Sequence, residues 1–317
     1  DPLVFVEEGA MHGTYLASAN GRTFAAFQGI PYARPPIGKY RFKDPVLHKP
    51  WRGVWPATKP GSECLHYKNG LHGDENCLFL NVYSSMLPRG NAPLLDVIVF
   101  FHGGAFMFDT AHKYGPKYLL DRDIVLVTIN YRLGPLGFIS TEDEVVPGNM
   151  GLKDQTLALR WVQRNIVAFG GNPASVTISG SSAGGVSVHY HYFSNSSHGL
   201  FQRGIAMSGS SLCPWAQMEN GRAKADVLAQ SLGCNSYSSR DMIDCLRQRP
   251  AAMIVQQVPM FQGWRDQPFS PFGPTIEVAG VNPFLSEQPI NALLNGNIQD
   301  VPLLLSVTTE EGLYPAA

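Results

Sequence analysis

Short apolar runs separated by helical patterns dominate the middle of this chain. Residues 97–101, 124–129, 176–178 and 303–307 are almost entirely apolar, which is typical of strands covered on both faces. Between the second and third runs, residues 151–169 place Leu, Val, Ile and Phe at helical spacing with charged residues between them. Strands that alternate with helices predict an α/β fold with a mostly parallel sheet and helices on both faces.

The two ends of the chain have different patterns. Residues 1 to about 30 contain short alternating stretches at 4–6 and 24–27, separated by glycines, which predict a small antiparallel sheet at the amino terminus. Residues 250–300 are rich in Pro, Gln and Asn and predict loops and short helices. The length of 317 residues suits a large α/β sheet, so we expect residues 1–317 to belong to a single domain.

Composition narrows the class of partner. Hydrophobic residues make up 44% of the chain and charged residues 15%, which suits a well-buried core. The formal net charge is −1, so no basic surface favours nucleic acid or an anionic membrane. No apolar run approaches the ~18 residues of a membrane-spanning helix. We therefore expect a small-molecule partner, no nucleic acid and no membrane span.

Cysteines and a glycosylation sequon suggest the cellular compartment. Four of the five cysteines form two close pairs in polar loops, Cys64 with Cys77 and Cys234 with Cys245. These pairs predict two small disulfide loops, with Cys213 as a buried free thiol; the alternative is five reduced cysteines. Asn195 opens an Asn-Ser-Ser sequon in a polar turn. Together the two features predict a secreted, extracellular glycoprotein.

A serine lies between a predicted strand and a predicted helix. Residues 180–184 read Gly-Ser-Ser-Ala-Gly directly after the apolar run 176–178. Glycines two places before and after Ser182 are typical of a nucleophile elbow, where side chains at those positions would collide with the strand or helix. The Ala183 amide would then point to where an oxyanion forms. The alternative is an ordinary turn.

A second glycine-rich loop supports the same chemistry. Residues 102–106 read His-Gly-Gly-Ala-Phe and follow the apolar run 97–101. Small residues leave the backbone bare, so consecutive amides can point at one position and, with the amide after the serine, bind a tetrahedral oxyanion. Taken alone, the loop is equally well an ordinary turn. Together the two motifs predict acyl transfer.

A serine nucleophile needs a base and an acid that orients the base. Glu311 follows the apolar run 303–307 and precedes Gly312. A carboxylate at the carboxyl end of a sheet strand lies at the same edge as the serine. We therefore predict Glu311 as the acid; the alternative is that Glu310 and Glu311 are solvated loop charges.

The general base is missing from this chain. The expected order along the chain is serine, acid, histidine, and no histidine follows Glu311. His189 and His191 lie in the predicted helix after the serine, where we expect packing or surface roles. His102 heads the glycine-rich loop, and we expect it to fix that loop by hydrogen bonding.

Several motifs resemble the type-B carboxylesterase and cholinesterase family, most of all the secreted β-esterases of insects. They lie at residues 74–78, 102–106, 130–134, 147–149, 151–155, 180–185 and 310–312. The resemblance runs from near residue 4 to the last residue. It implies an α/β-hydrolase fold. It also implies that the chain is roughly the amino-terminal three-fifths of a member, with the catalytic histidine supplied by the remaining carboxyl-terminal segment.

The resemblance also implies roles for individual residues. These are Ser182 as nucleophile, Glu311 as acid, Gly104, Ala105 and Ala183 as oxyanion donors, and Trp215, Phe269 and Phe272 as walls of the acyl pocket. It implies the same two disulfides, a serine at Ser208 near the histidine, and structural ion pairs between Arg132 and Asp154 and between Arg41 and Glu75.

Departures from the family pattern narrow the substrate. Cholinesterases carry glutamate where this chain has Ser181, and a tryptophan in the first disulfide loop, which here has none; a choline ester is therefore disfavoured. Juvenile hormone esterases usually carry glutamine at that position. We expect a serine esterase acting on fairly apolar, uncharged esters through an acyl-enzyme, without metal or cofactor. The alternatives are a juvenile hormone esterase, a non-catalytic adhesion or binding relative, and a complete but inert chain.

Overall fold

The structure is a computed structural model that describes residues 1–90, 92–234, 237–263, 268–278 and 280–313. Its strands are β1 (Leu3–Val6), β2 (Gly9–His12), β3 (Thr14–Ala17), β4 (Thr23–Pro31), β5 (Val54–Pro56), β6 (His66–Tyr67), β7 (Leu71–His72), β8 (Phe79–Ser84), β9 (Leu95–Phe101), β10 (Ile124–Ile129), β11 (Gly171–Ser181), β12 (Arg203–Met207) and β13 (Leu303–Ser306). Its α-helices are α1 (Gly134–Phe138), α2 (Met150–Asn165), α3 (Ala183–Phe193), α4 (Gly221–Ser231), α5 (Ser239–Gln248), α6 (Ala251–Val255) and α7 (Pro289–Asn295).

Eight of these strands form the central sheet, in the order β13-β12-β11-β9-β10-β8-β4-β3. The strands from β13 to β10 are parallel, and β8, β4 and β3 continue the sheet antiparallel. All four apolar runs lie in the parallel part, which confirms the predicted mostly parallel sheet. Burial explains their composition: Val97, Val99 and Phe101 are fully buried, as is most of β10.

The outermost strand differs from the others. β13 pairs only with β12 on one side within the described sheet. Leu304 is 54% exposed, Leu305 59% and Val307 80%. Adjacent residues of a strand point to opposite faces, so both faces of β13 are uncovered in this structure.

The amino-terminal strands divide between two sheets, which corrects part of the prediction. Residues 4–6 lie in β1, which pairs antiparallel with β2, and β5 completes this small sheet in parallel with β2. Residues 24–27 lie in β4, which belongs to the central sheet. An alternating pattern predicts that strands form but not which strands pair. The small sheet is therefore mixed because a distant segment joins it.

The helices predicted over residues 151–169 and directly after Ser182 are both present in the structure. The pattern over 151–169 forms α2 and a 3₁₀ turn at Ile166–Phe169, which ends at Gly170 with a φ of +83°. The helix α3 begins immediately after Ser182 and packs against β11 and β12. The region 250–300 contains α6, a 3₁₀ turn at Val258–Phe261, α7 and loops, as predicted for its described residues.

Two disulfides close the polar loops that the sequence indicated. Cys64 is bonded to Cys77, with Cα atoms 4.8 Å apart, and Cys234 to Cys245, with Cα atoms 5.5 Å apart. Cys213 is a free thiol but is half-buried rather than buried. None of the helices in the described part of the chain has both the length and the apolar composition needed to cross a membrane.

An ion pair in the core fixes the segment that follows β10. The Arg132 guanidinium donates to both carboxylate oxygens of Asp154 on α2, at 2.7 and 2.8 Å, and the Arg132 amide donates to the same carboxylate. The remaining guanidinium nitrogen donates to the Lys43 carbonyl at 2.8 Å. Both charged side chains are almost fully buried, so each depends on the other to compensate its lost hydration.

Asp154→Asn should lower the free energy of unfolding by about 3–5 kcal/mol, because it leaves the Arg132 charge buried without a counter-charge. Urea unfolding of the purified protein measures this change. Asp123→Asn is the matched control, since Asp123 pairs with Arg22 at the surface and should cost less than about 1 kcal/mol. Equal losses in the two variants would contradict this interpretation of the buried pair.

Four histidines of the described residues are buried without a negatively charged hydrogen-bond partner, and the pKa of three of them is strongly lowered. Burial lowers the pKa of His102 to about 4, that of His189 to about 4 and that of His191 to about 3. His191 bonds the Ser197 hydroxyl through Nδ1 and the Gln155 carbonyl oxygen through Nε2. The folded protein therefore keeps all three neutral at pH values where the unfolded chain protonates them.

Stability should fall as the pH decreases through the histidine pKa of the unfolded chain, about 6.5, and continue to fall towards pH 4. Above that range the three histidines are neutral in both states and have no effect. Each buried histidine should contribute about 2 kcal/mol to the loss between pH 7 and pH 5. Urea unfolding at stepped pH measures the slope, which His191→Gln should reduce. A variant slope equal to that of the wild type would show that His191 is not held neutral.

Candidate active site

Ser182 has a strained backbone between β11 and α3. Its φ is +56° and its ψ −123°, a conformation that side-chain-bearing residues rarely adopt. A Cβ on Gly180 would lie 2.3 Å from the Gly184 carbonyl carbon, and one on Gly184 would lie 2.1 Å from the Phe101 oxygen. The Ser182 amide donates to the Met207 carbonyl at 2.9 Å. The two glycines thus allow the strand and helix to meet closely enough to hold the turn.

Buried polar side chains support the start of α3 from behind. The Ser187 hydroxyl donates to the Ala183 carbonyl at 2.9 Å and accepts from the Gln155 amide at 3.0 Å. The Gln155 carbonyl oxygen in turn bonds His191 at 3.0 Å. This network joins α3 to α2. As the first residue of α3, Ala183 has an amide with no helical acceptor, so its N–H group is available at the turn.

In the loop 102–106, His102 orients the peptide between Gly103 and Gly104. Its ring stacks on Tyr131, with centroids 4.4 Å apart, and the Tyr131 hydroxyl donates to the His102 carbonyl at 2.8 Å. The imidazole Nδ1 lies 2.9 Å from the Gly103 carbonyl oxygen, which requires the proton on Nδ1. Because a peptide is planar and trans, fixing the Gly103 carbonyl also fixes the Gly104 N–H on the opposite side.

The next peptide is fixed by the loop itself. The Gly104 carbonyl accepts from the amides of Met107 at 2.8 Å and Phe108 at 3.0 Å, which sets the direction of the Ala105 N–H. Both residues have positive φ, +89° at Gly104 and +56° at Ala105. Among the described residues, neither the Gly104 nor the Ala105 amide donates a hydrogen bond to protein. The loop thus presents two free, oriented donors.

Ser182 and these amides share one cavity of about 640 Å³. Residues Gly104, Ala105 and Ser182 line it, as do the aromatic rings of Trp215 and Phe269. The last two rings pack against each other with centroids 5.2 Å apart. The cavity therefore has polar donors at one side and an apolar wall at the other.

Phe272 does not reach this cavity. It is fully buried and packs edge-on against Phe261, with ring centroids 4.9 Å apart. The intervening Pro271 fixes a bend in the backbone, and Phe272 points into the core behind the wall. The structure thus brings Trp215 and Phe269 of the three predicted wall residues to the cavity.

Glu311 lies at the rim of the same cavity. Its side chain is exposed, accepts from the Thr308 amide at 2.8 Å, and is hydrogen-bonded to the Ser208 hydroxyl. These two hydrogen bonds, with that from Ser208 the stronger cause, lower the pKa of Glu311. Ser208 follows β12 and has a φ of +51°. The structure therefore places Ser208 beside Glu311.

No histidine of the described residues lines the cavity. His189 does not line the cavity itself but bonds the hydroxyls of Ser210, which does, and of Ser211, each at 3.1 Å. Within the described chain, no side chain bonds the Ser182 hydroxyl. His189 and His191 are therefore occupied elsewhere, as the sequence indicated.

Two aromatic residues that sequence reasoning missed also line the cavity, Phe108 and Tyr114. The Tyr114 hydroxyl donates to Asp109 at 2.8 Å, and the Lys68 ammonium lies 3.4 Å from the centroid of the Phe108 ring. Phe108 and Tyr114 reach the cavity because the loop after Ala105 folds back on itself. No local sequence pattern predicts that fold of the loop. Asn195 lies outside the cavity, exposed at the 3₁₀ turn Asn195–Ser197.

Comparison with known proteins identifies the family of this chain. A family model described as the carboxylesterase family matches residues 1–317. Venom carboxylesterase-6 of Apis mellifera is 49% identical over 324 residues, which cover 100% of this chain and 58% of the bee protein. Esterase FE4 of Myzus persicae is 50% identical over 319 residues, which cover 98% of this chain and 56% of the aphid protein.

A solved structure gives the fold. The crystal structure of juvenile hormone esterase from Manduca sexta, with OTFP covalently attached, is similar with a TM-score of 0.85 and 31% sequence identity. The match covers 95% of this chain and 59% of that chain, so the chain spans little more than half the length of these relatives. The chain described here has the α/β-hydrolase fold, and it belongs to the carboxylesterase family.

Proposed function

We propose that the whole protein is a serine hydrolase of carboxylic esters. The observation that carries this proposal is the position of Ser182, on a strained turn in the same cavity as the unpaired amides of Gly104 and Ala105. Donors of this kind stabilise the oxyanion of acyl transfer, and loss of one typically costs about 3 kcal/mol of transition-state stabilisation.

The reaction follows from these groups. The Ser182 oxygen attacks the ester carbonyl carbon while its proton passes to a histidine base, and the amides of Gly104, Ala105 and Ala183 hold the oxyanion. The alcohol leaves with that proton, and the acyl group remains on Ser182. Water then attacks the acyl-enzyme by the same route and releases the acid. Glu311 orients the histidine and stabilises its charged form.

The base comes from the carboxyl-terminal segment of the same protein. This proposal is supported by the two uncovered faces of β13 and the exposure of Glu311, since exposed leucines on an edge strand indicate a surface that further protein covers. Residues 1–317 would then be the amino-terminal part of one domain, and that segment would complete the sheet edge and the active site together.

The substrate is a fairly apolar, uncharged ester. Trp215 and Phe269 form an aromatic wall, and no acidic residue adjoins Ser182 in the chain. The Lys68 ammonium already occupies a face of Phe108, which disfavours a cationic alcohol at that ring. Relatives named carboxylesterase and juvenile hormone esterase are consistent with esters of this class.

Ser182→Ala should abolish hydrolysis of a short-chain aryl ester by the full-length protein, because no other group supplies the nucleophile. An organophosphate probe should add once to the wild type, at the peptide that contains Ser182, and not to the variant. Steady-state rates and intact mass measure the two effects. Ser286→Ala, at an exposed serine outside the cavity, should behave as the wild type.

Ester hydrolysis or an organophosphate adduct that persists in Ser182→Ala would contradict this proposal. A folded wild type that neither hydrolyses esters nor takes the probe would favour a binding protein. Far-ultraviolet circular dichroism of each variant ensures that a lost activity is not a lost fold.

We propose that the protein is secreted and carries a glycan on Asn195. The exposed side chain of Asn195, its sequon and the two disulfides support this.

Protein recovered from the medium of a eukaryotic host should therefore show Asn195 converted to Asp after treatment with a peptide amidase that releases N-glycans. Peptide mass mapping detects the change. Asn172, which precedes Pro173 and has no sequon, should remain Asn. Secreted protein with an unmodified Asn195 would contradict the glycan assignment.

A further inference from the structure

Ser270 connects the aromatic wall of the cavity to the loop that presents the amides. Its hydroxyl donates to the Ala105 carbonyl at 2.9 Å. Both residues are buried, with Ser270 7% and Ala105 4% exposed. Ser270 directly follows Phe269, whose ring packs on Trp215 in the wall. One buried hydrogen bond thus joins the group that contacts an acyl chain to the residue that carries an oxyanion donor.

The bond acts on a residue that is held in an unfavourable conformation. Ala105 has a φ of +56°, which costs about 1–3 kcal/mol unless the surroundings enforce it. The peptide before Ala105 is held through the Gly104 carbonyl, and Ser270 holds the peptide after it. Without Ser270 only the bonds to the Gly104 carbonyl oppose relaxation of φ at Ala105, and that relaxation would turn the preceding peptide, with its N–H, away from the oxyanion position.

Two prolines and a hydrogen bond restrict the segment that carries Ser270. Pro268 and Pro271 bracket Phe269 and Ser270, and each proline fixes its own φ. The Lys224 ammonium donates to the Pro271 carbonyl at 2.9 Å, which anchors the far end. A displacement of the Phe269 backbone therefore reaches Ser270, the next residue, because φ is fixed at both flanking prolines.

We propose that Ser270 is a positioning residue that makes the oxyanion donor of Ala105 depend on the size of the acyl group. This inference rests on the proposed esterase function and extends it to acyl specificity. A short acyl group leaves Phe269 in place and the Ser270 bond intact. A long acyl group displaces Phe269, stretches that bond and weakens oxyanion binding, so acyl length is discriminated in kcat more than in KM.

The test uses the full-length enzyme with aryl acetate, butyrate and hexanoate. Ser270→Ala should lower kcat for the acetate about ten-fold, the upper range for loss of one hydrogen bond, with KM changed less than about two-fold. The kcat ratio of acetate to hexanoate should fall towards one, because the variant no longer couples the wall to the loop. Affinity for an aryl trifluoromethyl ketone, which forms a hemiketal oxyanion with the serine, should fall by a factor similar to that for kcat.

Matched variants separate positioning from stability. Ser84→Ala removes another buried hydroxyl, one that donates to the Phe169 carbonyl at 2.7 Å. Ser84 pairs with Val125 at the amino end of β10, away from the cavity, so this variant should leave kcat and the acyl ratio unchanged. Ser270→Thr keeps a hydroxyl and should restore kcat and ketone affinity. If Ser270→Ala does not fold, Ser270→Cys keeps the volume with a weaker donor and should show the same losses at smaller size.

The outcomes distinguish the two proposals. A wild type without esterase activity or probe labelling overturns the function and this inference with it. An active wild type overturns the inference alone if Ser270→Ala keeps kcat within two-fold, changes only KM, or keeps the wild-type acyl ratio. A loss that Ser270→Thr fails to restore also overturns it.

Discussion

The active site depends on one steric constraint, the close meeting of β11 and α3 at Ser182. A residue with a side chain at φ +56° and ψ −123° costs about 1–3 kcal/mol, and the surroundings must compensate for it. Packing that excludes any Cβ at Gly180 and Gly184 does so, together with the bond from the Ser182 amide to Met207. The same packing directs the serine side chain out of the sheet, so the strain and the proposed reactivity have a common origin.

The register of the parallel strands converts this local turn into a site. Gly180 pairs with Phe101 on one side and Ala206 on the other, and Ala206 pairs with Leu305. Four strands therefore end at nearly the same height. The amide loop, Ser182, Ser208 and the turn that carries Glu311 each follow one of those ends. Chain segments far apart in sequence meet because parallel strands place their carboxyl ends at one edge.

This arrangement explains which features could be predicted from the sequence. The turn at Ser182 and the loop 102–106 depend on short-range sterics, so glycine spacing beside an apolar run was sufficient to predict them. The parallel sheet followed from continuous apolar runs. Local sequence patterns did not predict that β5 lies beside β2, that Phe272 points away from the cavity, or that Ser270 bonds Ala105. Those features depend on tertiary contacts between residues that lie 11 positions apart for Phe261 and Phe272, 44 for Ala10 and Val54, and 165 for Ala105 and Ser270.

In the proposed mechanism, the environment of Glu311 links the arrival of the base to the burial of the acid. In this structure the carboxylate is exposed, and in water a unit charge interacts with another about 4 Å away by only about 1 kcal/mol. Its hydrogen bonds to Ser208 and Thr308 fix its direction and favour its charged form but leave it hydrated. A segment that covers β13 and brings an imidazole to Glu311 would also exclude water from the pair. In that mechanism the electrostatic effect of Glu311 on the base would grow with the burial that delivers the base.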